Sequence, residues 1–253
     1  MELKLSGINL LFGDIYEKIK LIPDHSVSLI YWDGPTRGTS KGTRNKFVPV
    51  SDLIDEINRV AKPNCRLIVQ TRKPDSTHFM NELADYYDTV WYVERPHYTP
   101  PSHNRKQPAG AIDEILVFTL NPDSKLEPSY HEAQAYETIH EFDDFRKKVP
   151  SNFVPANKKD AYKSTFLKSQ RPVGLLEYFL QVYSSPDDVV LDLFMGSGSM
   201  GIACMNAKRV YFGCEVEENI FSATATRISE YTQGREFKFV KSKRKGRKIQ
   251  RSE

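Results

Sequence analysis

Residues 189–215, VVLDLFMGSGSMGIACMNAKRVYFGCE, carry the pattern that decides the fold. Val189–Leu193 is a short β-branched and apolar run, the composition of a buried parallel strand, and Gly196, Gly198 and Gly201 follow in G-x-G-x-x-G spacing. Such a run passes from strand to helix through a tight turn, because glycine lets the backbone bend sharply and lets a ligand come closer than a Cβ allows. The spacing predicts a helix over Ser199–Ala207 and a second strand over Val210–Cys214. Glu215 ends that strand about 20 residues past the first glycine, where a carboxylate can take both hydroxyls of a ribose. Alone, the glycine pattern either binds a nucleotide-like ligand or only marks a close strand–helix contact. Asp192, at the strand end just ahead of the glycines, favours a particular ligand: a carboxylate there repels a pyrophosphate and suits the ammonium of an amino acid.

Outward from this stretch, the pattern is one of α/β alternation. Strands are expected at Ile8–Phe12, Ser28–Trp32, Arg66–Gln70, Thr89–Arg95 and Ile112–Leu120. Helices are expected at Ile15–Leu21, Val50–Ala61, Ser76–Tyr87 (with Ser76 as N-cap), Lys168–Tyr183 (with Pro172 in its first turn) and Glu217–Tyr231. Arg37–Lys46, RGTSKGTRNK, is a basic loop, either a solvated connector or a lid that orders on phosphates. Pro96–Gly110 is a polar, Pro-rich loop, and from Asn121 to about Lys163 no clear sheet pattern survives. The basic run KFVKSKRKGRK near the C-terminus is either a solvated end or a phosphate-contacting arm.

With 253 residues, 39% hydrophobic and 27% charged, the chain suits one sizeable α/β domain. No apolar run is long enough to cross a bilayer and MELKLSG is no signal peptide, so a cytoplasmic protein is expected. Net charge is only +3, but it is unevenly spread. Cys65, Cys204 and Cys214 lack C-x-x-C spacing and read as buried packing residues. His131-Glu132 and His140-Glu141 fit no helix-face pair, and no metal is expected.

Several motifs and their order carry a resemblance. D-x-F-x-G-x-G at Asp192–Gly198 resembles the first motif of S-adenosylmethionine-dependent methyltransferases. GDIYEKIKLIPDHSVSLIYWDGPT, residues 13–36, resembles the opening of the β-class of DNA amino-methyltransferases, a permuted class in which a catalytic D-P-P-Y motif precedes the cofactor glycines. IDEILVFTL resembles the family strand HEYILVFSK, SQRPVGLLE resembles T-Q-K-P-x-x-L-L-E, and the segment after Glu215 matches E-I-D-P-x-Y-x-x-x-A. The match covers Ile8–Thr36, Ile112–Leu120 and Ser169–Arg227.

The resemblance implies a Rossmann-like, seven-stranded methyltransferase sheet, mostly parallel with one antiparallel strand at the far edge, and helices on both faces. It divides the chain into a catalytic half (1–120), a short target-recognition insert (121–165), a cofactor-binding half (166–232) and a basic tail (233–253). The implied cofactor is S-adenosylmethionine and the partner DNA, in a restriction-modification setting, methylated on an exocyclic amine: adenine N6 first, cytosine N4 second. Whether a homodimer or a heteromeric subunit does this is left open.

Residue by residue, the resemblance gives Asp14 to the adenine amino group and Glu215 to the ribose. Asp192, Phe194, Gly196 and Gly198 go to the methionine part, and Ser169 to its carboxylate. On residues alone, Asp14 reads equally as a helix N-cap and Asp33 as a strand-end turn residue. In the catalytic motif Asp33 and the Gly34 carbonyl accept the two amine hydrogens while Pro35 stiffens the turn. Thr36 departs from the family aromatic, whose stacking on a flipped base is worth about 1–3 kcal/mol. Either Tyr31, Trp32 or Tyr98 takes over the stack, or the base is unusual, or the chain is a catalytically inactive DNA-binding or regulatory subunit. Candidate nucleic-acid contacts are Arg37, Lys41, Arg44, Lys46, Tyr98, Arg105 and Lys106.

Overall fold

In the computed structural model, residues 2–5, 7–35, 47–99, 110–120, 141–144, 147–155 and 170–233 are described, with the backbone alone at 2–5, 96–99, 141–144 and 147–150. The chain opens with β1 (Glu2–Leu5), β2 (Ile8–Phe12), α1 (Ile15–Lys18) and β3 (Val27–Trp32). It continues with α2 (Ile54–Val60), β4 (Ala61–Thr71), α3 (Asp75–Glu82), β5 (Tyr87–Thr99) and β6 (Gly110–Thr119). Then come β7 (Glu141–Asp144), β8 (Lys147–Pro150) and β9 (Phe153–Val154). Last are α4 (Val173–Tyr183), β10 (Val189–Asp192), α5 (Ser199–Asn206), β11 (Val210–Glu215) and α6 (Glu218–Thr232).

The main sheet runs β1-β2-β11-β10-β3-β4-β6-β5-β9. Its seven middle strands are the expected methyltransferase sheet, with β2, β11, β10, β3 and β4 parallel and β6 antiparallel to both β4 and β5. Two edge additions extend it: β1, antiparallel to β2, and β9, parallel to β5. The antiparallel β6 does not close the far edge, as the sequence suggested, but lies one strand inside it. Its centre explains why: Ile115, Leu116, Val117 and Phe118 are all buried, so both faces are covered, which suits an interior strand.

Alternation along β3 divides the core. Leu29 and Tyr31 pack on one face with Leu175 and Phe179 of α4 and Met200 of α5. Ile30 and Trp32 pack on the other with Ile57 of α2 and Phe79 of α3. All three cysteines are free and buried. No described helix is long and apolar enough to cross a membrane.

Several expected elements shift. The helix over Val50–Ala61 is a 3-10 turn at Val50–Asp52 followed by α2, and Ala61 already begins β4. Ser76 is no cap: Pro74 occupies that position, and Ser76 sits inside α3, 1% exposed. Likewise Pro172 is the N-cap of α4 and not its first turn. The segment 121–163, which showed no sheet pattern, contributes the hairpin β7–β8 and the two-residue β9. Strands this short leave no room for a recognisable alternation.

Candidate active site

The parallel strands β2, β11, β10 and β3 are neighbours, and each delivers a carboxylate at or just past its carboxyl end: Asp14, Glu215, Asp192 and Asp33 in that order across the sheet. At about 4.8 Å per strand the row spans roughly 15 Å. Asp14 is exposed and caps α1, its Oδ1 accepting from the Tyr16 N–H at 3.0 Å. The Gly13 N–H donates to the Glu215 carbonyl at 2.9 Å, tying the first two strand ends together.

Between β10 and α5 the chain turns through Gly196 and Gly198, both at positive φ (51° and 74°), a region that favours glycine. At Gly198 a Cβ would also meet Thr224 Cγ2 at 2.6 Å, so α6 packs directly beneath the turn. Thr224 donates to the Gly196 carbonyl at 2.6 Å, and Arg227 donates to the Ser197 carbonyl at 2.5 Å. Glu215 braces the turn from the side, accepting from the Gly196 N–H at 3.0 Å and the Glu217 N–H at 2.9 Å. Burial raises the Glu215 pKa against these hydrogen bonds.

Asp192 is 1% exposed. Its oxygens accept from Tyr211 Oη at 2.9 Å and from the Phe194 N–H at 3.2 Å. Burial outweighs both bonds and pushes its pKa up to about 7. Tyr211 reaches it by lying over Gly213 on the same face of β11, where a Cβ would fall 2.3 Å from its Oη. Asp33 and Asp192 line one cleft together with Arg171, Phe194 and Gly196. The candidate catalytic acid and the glycine turn therefore share one mouth.

The feature the sequence did not announce is Arg171, just ahead of α4. Its Nε and Nη2 donate to the two oxygens of Asp33, each at 2.7 Å, and its Nη1 donates to Asp113 of β6 at 2.6 Å. Because an arginine only donates, the Gln70 amide turns its oxygen toward the guanidinium at 3.1 Å and its nitrogen toward Tyr31 Oη at 2.5 Å. Burial lowers the Arg171 pKa, but Asp33 and Asp113 more than reverse this and the net shift is upward. The one available signal was that Arg171 stands where the resembled motif has lysine.

The N6_N4_Mtase family model, described as DNA methylase, matches residues 27–226, well over half of the chain. The chain belongs to this DNA methylase family. Among curated relatives, the type II methyltransferase M.BglII of Bacillus subtilis is 25% identical over 237 residues, covering 81% of this chain and 64% of the relative. M.PvuII of Proteus hauseri is 22% identical over 236 residues, covering 86% and 68%. The chain thus spans about two thirds of the length of these relatives. Among solved structures, the PvuII DNA methyltransferase (cytosine-N4-specific) superposes with a TM-score of 0.65 at 16% identity, over 88% of this chain and 87% of that one. The M1.HpyAVI–SAM complex gives 0.62 at 19% identity, over 87% and 98%. At these identities the superpositions establish the shared fold.

Within this member of the DNA methylase family, Gly34 in place of the motif's first proline has a packing reason. A Cβ at 34 would lie 2.8 Å from Trp32 Nε1 and 2.9 Å from the Phe194 ring. Trp32 has no room to yield, because it is 3% exposed and in ring contact with Phe79 and Phe194. Tyr31 is equally buried and tied to Gln70, so neither residue offers a free face to a base, contrary to one expectation from the sequence. Thr36, Arg37, Lys41, Arg44, Lys46, Arg105, Lys106 and Ser169 lie outside the described residues, as do the Tyr98 side chain and the tail beyond Gln233.

Proposed function

We propose that this DNA methylase family member transfers a methyl group from S-adenosylmethionine to an exocyclic amine in DNA, adenine N6 first and cytosine N4 second. The observation that carries the reading is the row of four carboxylates across adjacent strand ends, running from Asp14 through Glu215 and Asp192 to Asp33. Its chemistry follows the cofactor from end to end: an acceptor for the adenine amine, one for the ribose hydroxyls, a counter-charge for the ammonium, then the acid for the acceptor amine. Phe194 and the backbone of Gly196 and Gly198 flank the methionine part, and Ser169 takes its carboxylate. The cofactor, when bound, supplies the electrophilic methyl carbon.

Asp33 and the Gly34 carbonyl accept the two hydrogens of the flipped base's amine and aim its lone pair, and this positioning is the larger part of catalysis. The loop from Arg37 to Lys46, Tyr98, Arg105, Lys106 and the basic tail contact phosphates and bases. Digestion of treated DNA to nucleosides with mass detection reports activity and the methylated base together. Appearance of N6-methyladenine or N4-methylcytosine with the wild type and its loss with Asp33→Ala is the expected result.

One observation favours a second reading. Both oxygens of Asp33 are already engaged by Arg171, as they would be in a catalytically inactive DNA-binding or regulatory subunit. Tritiated methyl transfer separates the two: equal silence of wild type and Asp33→Ala, with DNA still bound, sinks the enzyme.

A further inference from the structure

We infer that Arg171 is a positioning residue for the acceptor-binding aspartate and supplies the rigidity that Gly34 gives up. This rests on the functional reading above. A carboxylate offers about four lone-pair sites, and the two-pronged contact from Nε and Nη2 uses one on each oxygen of Asp33. One lone pair per oxygen stays open to an amine hydrogen, and the Asp33 side chain keeps 22% of its surface exposed in the cleft.

The guanidinium is itself fixed. Asp113, only 8% exposed, holds Nη1 from β6, the Gln70 oxygen faces Nη1 and Nε, and Pro172 follows directly at the cap of α4. A planar fork held from a second strand and from a helix start cannot rotate freely, so neither can the carboxylate it grips. In the family motif a proline follows the aspartate; in this chain Trp32 and Phe194 exclude a side chain at that position. The constraint therefore comes from the side-chain end, through a residue 138 positions away in sequence. Arg171 also gives the cleft its positive charge beside Asp33 and Asp192.

The test is steady-state methylation of DNA by the full chain and by Arg171→Gln, Arg171→Lys and Asp113→Asn. Each is paired with calorimetric binding of S-adenosylmethionine and of its neutral product, S-adenosylhomocysteine. Arg171→Gln is expected to lower kcat about 100-fold, the scale of a misplaced catalytic group, while KM for the cofactor moves less than about threefold. Arg171→Lys, keeping the charge without the fork, is expected between the two, and Asp113→Asn to lower kcat less than Arg171→Gln does. Removing the guanidinium is also expected to shift binding toward the cationic cofactor over the neutral product by about threefold or more.

A kcat at or above wild type in Arg171→Gln overturns the proposal, since the guanidinium would then be an obstruction. So does a loss confined to cofactor KM, or one matched by a fall in folded fraction, since either marks a packing role. A wild type without methyl transfer defeats the functional reading separately, and an unchanged cofactor-to-product binding ratio in Arg171→Gln then overturns the placement of Arg171.

Discussion

Asp192 concentrates the electrostatic cost of the site in one side chain. It is buried beside Tyr211 with Asp33 and Glu215 nearby, and its carboxyl titrates near 7 against about 3.9 in an unfolded chain. Between those values the folded protein keeps a proton that the unfolded chain has lost. The ligand-free protein is therefore expected to lose stability as pH rises through this window and to level off above it. On the proposed reading, in which Asp192 faces the cofactor's ammonium, cofactor binding has the opposite sign, because the ammonium needs the charged carboxylate. The Kd for S-adenosylmethionine is expected to fall by up to about tenfold per pH unit up to pH 7, then flatten. Calorimetry from pH 5.5 to 7.5 checks this, and Asp192→Asn should abolish most of the slope; a slope that survives that substitution excludes Asp192 as its source.

At the scale of elements, the end of β3 and the glycine turn behave as one packed unit. Trp32, Gly34 and Phe194 share a space that holds only two side chains, so one of the three positions must be without one. Restoring the family's proline by Gly34→Pro is thus expected to destabilise the fold, by about 1–3 kcal/mol for an overpacked site. It should also slow methyl transfer. Adding Trp32→Leu should recover part of that stability in urea unfolding. A neutral or activating Gly34→Pro on its own contradicts the packing account. The same logic explains why β11 carries Gly213: the strand must let the Tyr211 ring lie across it to reach the neighbouring strand's Asp192.

For the whole molecule, the sheet order converts a linear sequence into a linear site. Strands β2 and β3 come from the first part of the chain and β10 and β11 from the last, and the order β2-β11-β10-β3 nests the late pair between the early pair, so acids from both ends meet in one row. The net charge of +3 is too small to steer DNA by itself, and the basic run KSKRKGRK at residues 241–248 concentrates the charge that could. Deleting residues 234–253 is expected to flatten the dependence of DNA affinity on salt, by about 0.9 in log–log slope for each phosphate that the tail neutralises. It should leave kcat at saturating DNA unchanged. An unaltered slope removes the tail from the DNA interface.

The order of the motifs carried the permuted sheet through the family resemblance, and what the sequence determined by itself was local: the glycine turn and the strand-end acids at Asp14, Asp33, Asp192 and Glu215. Those features rest on backbone conformation and on strand-to-helix spacing, which neighbouring residues dictate. The inward placement of β6 and the two-residue β9 were not legible, because strand neighbours are chosen by long-range pairing and two residues carry no periodicity. Nor were the grip of Arg171 on Asp33 and Asp113, the Tyr211–Asp192 hydrogen bond over Gly213, and the steric need for Gly34. Each joins side chains from separate elements, 138 residues apart for Arg171 and Asp33, and only the packed fold brings such groups within hydrogen-bonding distance.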